Sequence, residues 1–87
     1  MNWRLNDAVR VMAHNDGAFV VHVPSGRCFS VNVTGATILT QLEGRPRSTE
    51  EIVDCLATKF TGDQLPADTH RFLKTLMASG VVACDEN

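Results

Sequence analysis

Apolar residues alternate with polar ones along the first third of the chain and recur every three to four positions after it. The alternation predicts three strands over residues 8–14, 18–23 and 27–31, joined by two short turns that each end in glycine. The later periodicity predicts three amphipathic helices. The expected fold class is α+β: a three-stranded antiparallel sheet followed by three helices, winged-helix-like, in a single domain over residues 1–87 with no room for further strands.

The lengths of the two turns decide which side chains share a face of the sheet. A two-residue first loop would place His22 with the apolar residues and Phe19 on the opposite face. Three-residue loops ending at Gly17 and Gly26 separate apolar from polar side chains much better. We therefore predict three-residue loops and a buried face that carries Val9, Val11, Ala13, Phe19, Val21, Val23, Phe29 and Val31.

Capping residues predict where the helices begin. Thr34 is the expected N-cap of the first helix, and Ser48 with Glu51 forms a capping box at the start of the second. The third helix is expected to open at Pro66 or Asp68. Its apolar stripe consists of Phe72, Leu73, Leu76 and Met77.

Composition restricts the class of protein. The 87 residues carry a formal net charge of −2 and 44% of them are hydrophobic, which indicates a folded domain and argues against a dedicated nucleic-acid binder. The sequence shows neither a basic and apolar leader nor a stretch that could span a bilayer, so we expect a cytoplasmic protein without membrane contact. The three cysteines form no C-x-x-C pair, so neither a disulfide framework nor a zinc site is indicated.

Cys28 and His22 are the one pair of reactive groups on the predicted sheet, because the expected register places them opposite each other. No third metal ligand and no oxyanion donor accompanies them, so we predict neither a metal site nor catalysis. A glycine-rich phosphate loop is also missing, so no cofactor is expected. The alternative function is a winged-helix DNA-binding or regulatory domain, in which a helix-turn-helix would read DNA with His70, Arg71 and Lys74, although its cationic content is thin.

The third strand, residues 27–31, is expected to lie at an edge of the sheet with a row of unpaired backbone groups. The residues alone leave three occupants open: an extended peptide, the C-terminal Val81–Val82 segment, or a second copy of the chain in a homodimer. A peptide would pair through its main chain and place side chains in pockets. Proline at Cys28 or Ser30 is expected to weaken that pairing, with one of the two N–H groups pointing outward.

Three motifs occur in a characteristic order. A strand ending in an apolar residue and Asn precedes T-G-A at a helix start, followed by a T-x-E-I-V-x-x-L helix and an F-L-x-x-L helix that ends in glycine. The residues are Val31, Asn32, Thr34, Gly35 and Ala36; Thr49, Glu51, Ile52, Val53 and Leu56; and Phe72, Leu73, Leu76 and Gly80. Over nearly its whole length the chain resembles PqqD-like proteins, the small peptide-recognition domains of ribosomal peptide modification.

The resemblance implies a non-catalytic domain that binds the leader segment of a ribosomally made precursor by strand addition beside the third helix. It also implies delivery of the precursor to a modifying enzyme or a leader peptidase, and a lasso-peptide pathway is favoured over a quinone-cofactor pathway. The expected peptide-binding residues are Arg27, Cys28, Phe29, Ser30 and Val31, with His70, Leu73, Lys74 and Met77 on one shoulder of the third helix. Arg71 marks the other shoulder, and the sequence leaves open which one faces the strand. Met77→Asp is expected to weaken leader binding without unfolding the domain.

Overall fold

The computed structural model of the protein describes residues 2–60, 62 and 64–85. The strands in this part of the chain are β1 (Asn2–Leu5), β2 (Val9–His14), β3 (Gly17–His22), β4 (Arg27–Val31), β5 (Arg47–Ser48) and β6 (Val82–Asp85). The helices are α1 (Val33–Leu42), α2 (Thr49–Ala57) and α3 (Leu65–Ala78). The α+β class is confirmed, as is an antiparallel β2–β3–β4 sheet followed by three helices.

A second, smaller sheet joins the two ends of the described chain. β1 lies at its centre and pairs antiparallel with β5 on one side and β6 on the other. The expectation that three strands exhaust the chain is therefore wrong, because these strands are too short to show a clear alternation. Trp3 of β1 is buried, and its indole N–H donates to Thr49 Oγ1 at 2.8 Å. This bond ties the small sheet to the first residue of α2.

The register of both hairpins differs from the prediction by one residue. His14 pairs with Gly17, so the first loop has two residues, and His22 pairs with Arg27, so the second loop has four. The first shift exchanges the two faces of β3, so that the side chains predicted on the inner face lie on the outer one. The second shift cancels this exchange for β4. The inner face of β4 therefore carries the predicted residues, Phe29 and Val31.

Side-chain size explains why a count of apolar residues predicted the wrong register. α1 packs on β3, and the inward side chains there are Ala18 and Val20, which are fully buried. Gly17 lies so close to β4 that a Cβ atom at this position would overlap the carbonyl oxygen of Val31. Phe19 is 47% exposed on the outer face. Close packing at the start of β3 accepts only small residues, so Phe19 is excluded from the inner face.

One apolar core lies between the two sheets and the three helices. Both sheets and all three helices contribute buried side chains to it, namely Trp3, Val9, Val20, Ile38, Leu39, Leu42, Ile52, Leu56, Leu73, Leu76, Val81 and Val82. Partly buried Phe60, Leu65 and Phe72 pack against this cluster. These three extend the core toward the surface beside the end of β4.

The helix caps agree with the sequence at α2 and differ at α1. Asn32 caps α1 in place of the predicted Thr34, because its Oδ1 accepts a hydrogen bond from Gly35 N–H at 2.9 Å. The capping box of α2 is confirmed, with Ser48 and Glu51 exchanging two hydrogen bonds of 3.1 Å. The hydrogen bond from the Ser48 backbone, helped by Arg45, lowers the pKa of Glu51 below its ordinary value.

Glu51→Gln is expected to remove part of the acid sensitivity of folding. Because the pKa of Glu51 is lowered in the folded state, its carboxylate stabilises the fold above the ordinary value of 4.5, and this contribution is lost as pH falls through the folded-state pKa. Glutamine still accepts from the Ser48 N–H but does not titrate. Melting temperatures measured from neutral to acidic pH should therefore converge for the two proteins. Glu50→Gln is the matched control. A difference in melting temperature between the wild type and Glu51→Gln that stays constant as pH falls would contradict the prediction.

Candidate functional site

β4 is an edge strand. In the part of the chain that the structure describes, β3 is its only neighbour in the sheet. The Val81–Val82 segment does not cover the other side, since Val82 pairs with Leu5 of β1. The Val81–Val82 alternative is therefore wrong, and the edge of β4 is open to another chain.

Cys28 and Ser30 present their backbone groups to this open side. The N–H of Val23 donates to the C=O of Ala8 at 2.9 Å. The backbone N–H and C=O groups of the odd-numbered residues of β3 are therefore directed toward β2, and those of the even-numbered residues toward β4. The partners of the even-numbered residues are the odd-numbered residues of β4. Cys28 and Ser30 lie between these partners, so both direct an N–H and a C=O outward. The expectation that only one of their N–H groups does so is wrong.

A groove of about 470 Å³ separates the edge of β4 from α3. Its apolar lining consists of Val20, Phe29, Val31, Phe72, Leu76 and Val81, and its polar lining of His22, Ser25, Arg27, Ser30, Thr75 and Ser79. Phe29 is 39% exposed there. An apolar groove beside an unpaired strand offers both main-chain and side-chain contacts to an extended peptide.

A second cavity of about 530 Å³ continues the groove toward the first turns of α1 and α3. Ser30, Val31 and Phe72 line both cavities. Thr69, in the lining of the second cavity, is 1% exposed, and its hydroxyl has no hydrogen-bond partner among the residues described. The two cavities form one depression along β4, which we call the β4–α3 trough.

Gly35 shapes the junction of the two cavities, which Phe72 and Val31 line. A Cβ atom at Gly35 would lie 2.9 Å from Cζ of Phe72 and 3.0 Å from Cβ of Val31. Glycine at this position of α1 therefore lets α3 and the end of β4 approach each other. The T-G-A motif thus contributes to the shape of the trough through sterics.

The residues predicted on β4 meet at this site. Arg27, Phe29, Ser30 and Val31 line the trough. Cys28 contributes its backbone groups, while its side chain lies on the outer face of the sheet with that of its partner Val21.

The residues predicted on the third helix are placed elsewhere. Leu73 is 0% exposed and belongs to the core. His70 packs edge-on against Trp3, with ring centroids 6.2 Å apart. Lys74 lies with His70 on a shallow surface that borders the groove at Thr75, and neither of the two lines the groove itself. Met77 is 40% exposed and is not part of the trough lining.

α3 faces the groove with residues other than those predicted to bind the peptide. Phe72 and Leu76 of the apolar stripe line the groove together with Thr75 and Ser79, and Leu76 also belongs to the buried core. Their spacing of three to four residues places them on one helix face, so the periodicity contained this signal. Which helix shoulder faces β4 depends on tertiary packing, however. Peptide contact by any α3 residue stays a prediction.

The predicted pairing of His22 with Cys28 is wrong. His22 stands opposite Arg27, and its Nδ1 lies 2.7 Å from Ser25 Oγ. Within residues 2–60, 62 and 64–85, no three His, Cys, Asp or Glu side chains are grouped as metal ligands. Among these residues, no helix combines the length and apolar character needed to cross a membrane.

Comparison with known proteins identifies several similarities. The family model of coenzyme PQQ synthesis protein D (PqqD) matches residues 17–82. The structure of TbiB1 in complex with the TbiA(beta) leader peptide has a TM-score of 0.82 and 25% identity, covering 97% of this chain and 99% of that one. A lasso peptide synthetase B1 complexed with the leader peptide has the same fold, with a TM-score of 0.77, 20% identity and coverage of 94% and 98%. A search of the curated proteins finds no match.

Proposed function

This chain belongs to the PqqD family, whose model covers residues 17–82, and we propose that it binds the leader segment of a ribosomally made precursor peptide in the β4–α3 trough. The observation that carries the proposal is an open strand edge beside an apolar trough. The leader-bound TbiB1, similar over nearly its whole length, supports it. We favour a lasso-peptide pathway over a quinone-cofactor pathway, in keeping with the fold shared with lasso peptide synthetase B1.

Backbone pairing would supply affinity that is independent of the leader's side chains. Cys28 and Ser30 offer two N–H donors and two C=O acceptors, and each such hydrogen bond contributes about 0.5–1.5 kcal/mol net. A leader strand bound there becomes the fourth strand of the β2–β3–β4 sheet. Its alternate side chains then enter the trough, where they contact Phe29 and Phe72. The trough therefore selects leaders with apolar residues at every second position.

The domain would hold its substrate and leave the chemistry to a partner. Ser25 and His22 are hydrogen-bonded, but Ser25 Oγ also accepts from the Arg27 N–H at 3.3 Å. These bonds assign the hydroxyl to stabilising the β3–β4 turn rather than to nucleophilic attack. A modifying enzyme or leader peptidase would receive the precursor while its leader is held, at a raised effective concentration.

Hydrogen exchange of the β4 amides tests strand addition directly. The probe is a synthetic peptide with the leader sequence of a candidate precursor, chosen from the open reading frames that flank this chain's gene. On saturation, the amides of Cys28 and Ser30 are expected to become protected, because they alone gain hydrogen bonds. The Phe29 amide points to β3 and should be protected with or without the peptide. Unchanged exchange at Cys28 and Ser30 in the saturated complex would contradict strand addition.

Two matched variants locate the same peptide relative to α3. Thr75→Trp places a large ring at the exposed rim of the trough and should weaken binding by at least about tenfold, or 1.4 kcal/mol. Lys74→Trp changes the adjacent exposed residue outside the groove and should leave binding unchanged. Equal losses in both variants would place the peptide elsewhere. A DNA duplex is tested as a ligand in the same assay. Binding of the duplex with an affinity that falls steeply as salt rises would favour the alternative, a winged-helix DNA-binding domain.

A further inference from the structure

Charge is distributed unevenly along the trough. Beside the β3–β4 turn the lining contains Arg27 and His22, and among the described residues no Asp or Glu lines this groove. At the other end, beside the start of α3, the lining contains Asp68, which pairs with Arg71 at 3.5 Å. The end at the turn is therefore the cationic end.

Arg27 is the unpaired charge at that end. The side chain takes part in none of the ion pairs formed within the described part of the chain, which involve Arg4, Arg45 and Arg71. It stands opposite His22 on the inner face of the sheet. An anion between these two side chains would pair with the charge of Arg27 and accept a hydrogen bond from the imidazole ring of His22.

His22 is held in place for such an interaction. Its Nδ1 is hydrogen-bonded to Ser25 Oγ at 2.7 Å, which fixes the ring beside the turn. Nε2 remains as the second polar atom of the ring, and it can donate to an acceptor. The Arg27 guanidinium offers a planar set of donors that matches a carboxylate.

We propose that the turn end of the trough is a carboxylate subsite, in which Arg27 and His22 select leader peptides that carry an Asp or Glu side chain. This subsite rests on the proposed leader binding and adds a charge requirement to it. The apolar residues of the trough would anchor the peptide, and the subsite would set its register along β4.

Strand geometry places the acidic residue within the peptide. Arg27, Phe29 and Val31 alternate on the inner face of β4, so peptide side chains at every second position oppose them. Every pairing in the β2–β3–β4 sheet is antiparallel. A strand added in the same sense runs from Val31 toward Arg27. The acidic residue therefore lies C-terminal to two apolar residues at alternate positions, opposite Arg27 or just beyond it.

Selection from a displayed library of random peptides tests the subsite. Peptides of about 12 residues are long enough to span β4. The wild-type protein is expected to enrich Asp or Glu C-terminal to alternating apolar residues. Arg27→Glu should enrich Lys or Arg at the same place while keeping the apolar pattern. Lys74→Glu makes the same charge reversal outside the groove and should give the wild-type pattern. Melting temperatures verify that all three proteins fold.

Individual peptides then measure the size of the effect. Replacing the enriched acid by its amide should weaken binding to the wild type by about threefold to fivefold, and replacing it by Lys should restore binding to Arg27→Glu. Equal acidic enrichment on the wild type and Arg27→Glu would overturn the subsite. Acidic enrichment N-terminal to the apolar residues would overturn the assigned position. If no peptide is enriched on the wild type, leader binding itself fails and the subsite fails with it.

Discussion

Gly17→Ala is expected to remove most of the stability of the domain, whereas Gly26→Ala should remove little. Both glycines have positive φ angles, +148° and +70°. A Cβ atom at Gly17 would overlap the carbonyl oxygen of Val31 and lie 3.1 Å from the carbonyl carbon of Asn32, whereas one at Gly26 meets nothing within 4 Å. These neighbours are backbone atoms, which cannot rotate away. The end of β4 would have to move.

The two variants separate backbone strain from steric overlap. A positive φ costs an L-residue about 1–2 kcal/mol, which is the loss expected for Gly26→Ala. Displacement of β4 adds to this at Gly17, where we expect a loss of about 4 kcal/mol or more. A domain of this size has a total stability of only about 4–13 kcal/mol. Denaturant unfolding measures both losses, and similar small values would show that β4 does not depend on Gly17.

The order of β2, β3, β4 and the three helices could be predicted because each of them has a local signal, whereas β1, β5 and β6 are too short to show one. Alternation marks β2, β3 and β4, and the Ser48–Glu51 capping box marks α2. The hairpin register could not be predicted, because Asn15-Asp16-Gly17 accepts loops of two or three residues. What decides between them is the close approach of Gly17 to Val31, a tertiary contact that the apolar pattern does not contain.

The candidate site could likewise be predicted only in part, at β4 but not at α3. That β4 is an edge follows from the order of the strands, so the position of its five residues at an edge could be predicted from the sequence. The α3 face could not be identified, because a helical stripe fixes which side chains are apolar and not how the helix is rotated against a strand. In the structure, contacts such as that of Phe72 with Gly35 set this rotation. They turn Leu73 into the core and Phe72 into the trough.

Adding the purified protein to its partner enzyme is expected to raise the enzyme's apparent affinity for the full precursor by on the order of a hundredfold. The leader held in the β4–α3 trough tethers the remainder of the precursor near the active site when this domain docks on the enzyme. A precursor without its leader cannot be tethered, so it should gain little. Initial rates over a range of precursor concentrations give the change in KM for each substrate.

Two controls assign the effect to the trough. Thr75→Trp should reduce the stimulation in proportion to its loss of leader affinity, while Lys74→Trp should stimulate like the wild type. An excess of free leader peptide should abolish the stimulation, because it occupies the trough without carrying a substrate. Equal stimulation of the full and the leaderless precursor would indicate an allosteric activator in place of a tether. Modification of the precursor by this protein alone would overturn the proposal that the domain is non-catalytic.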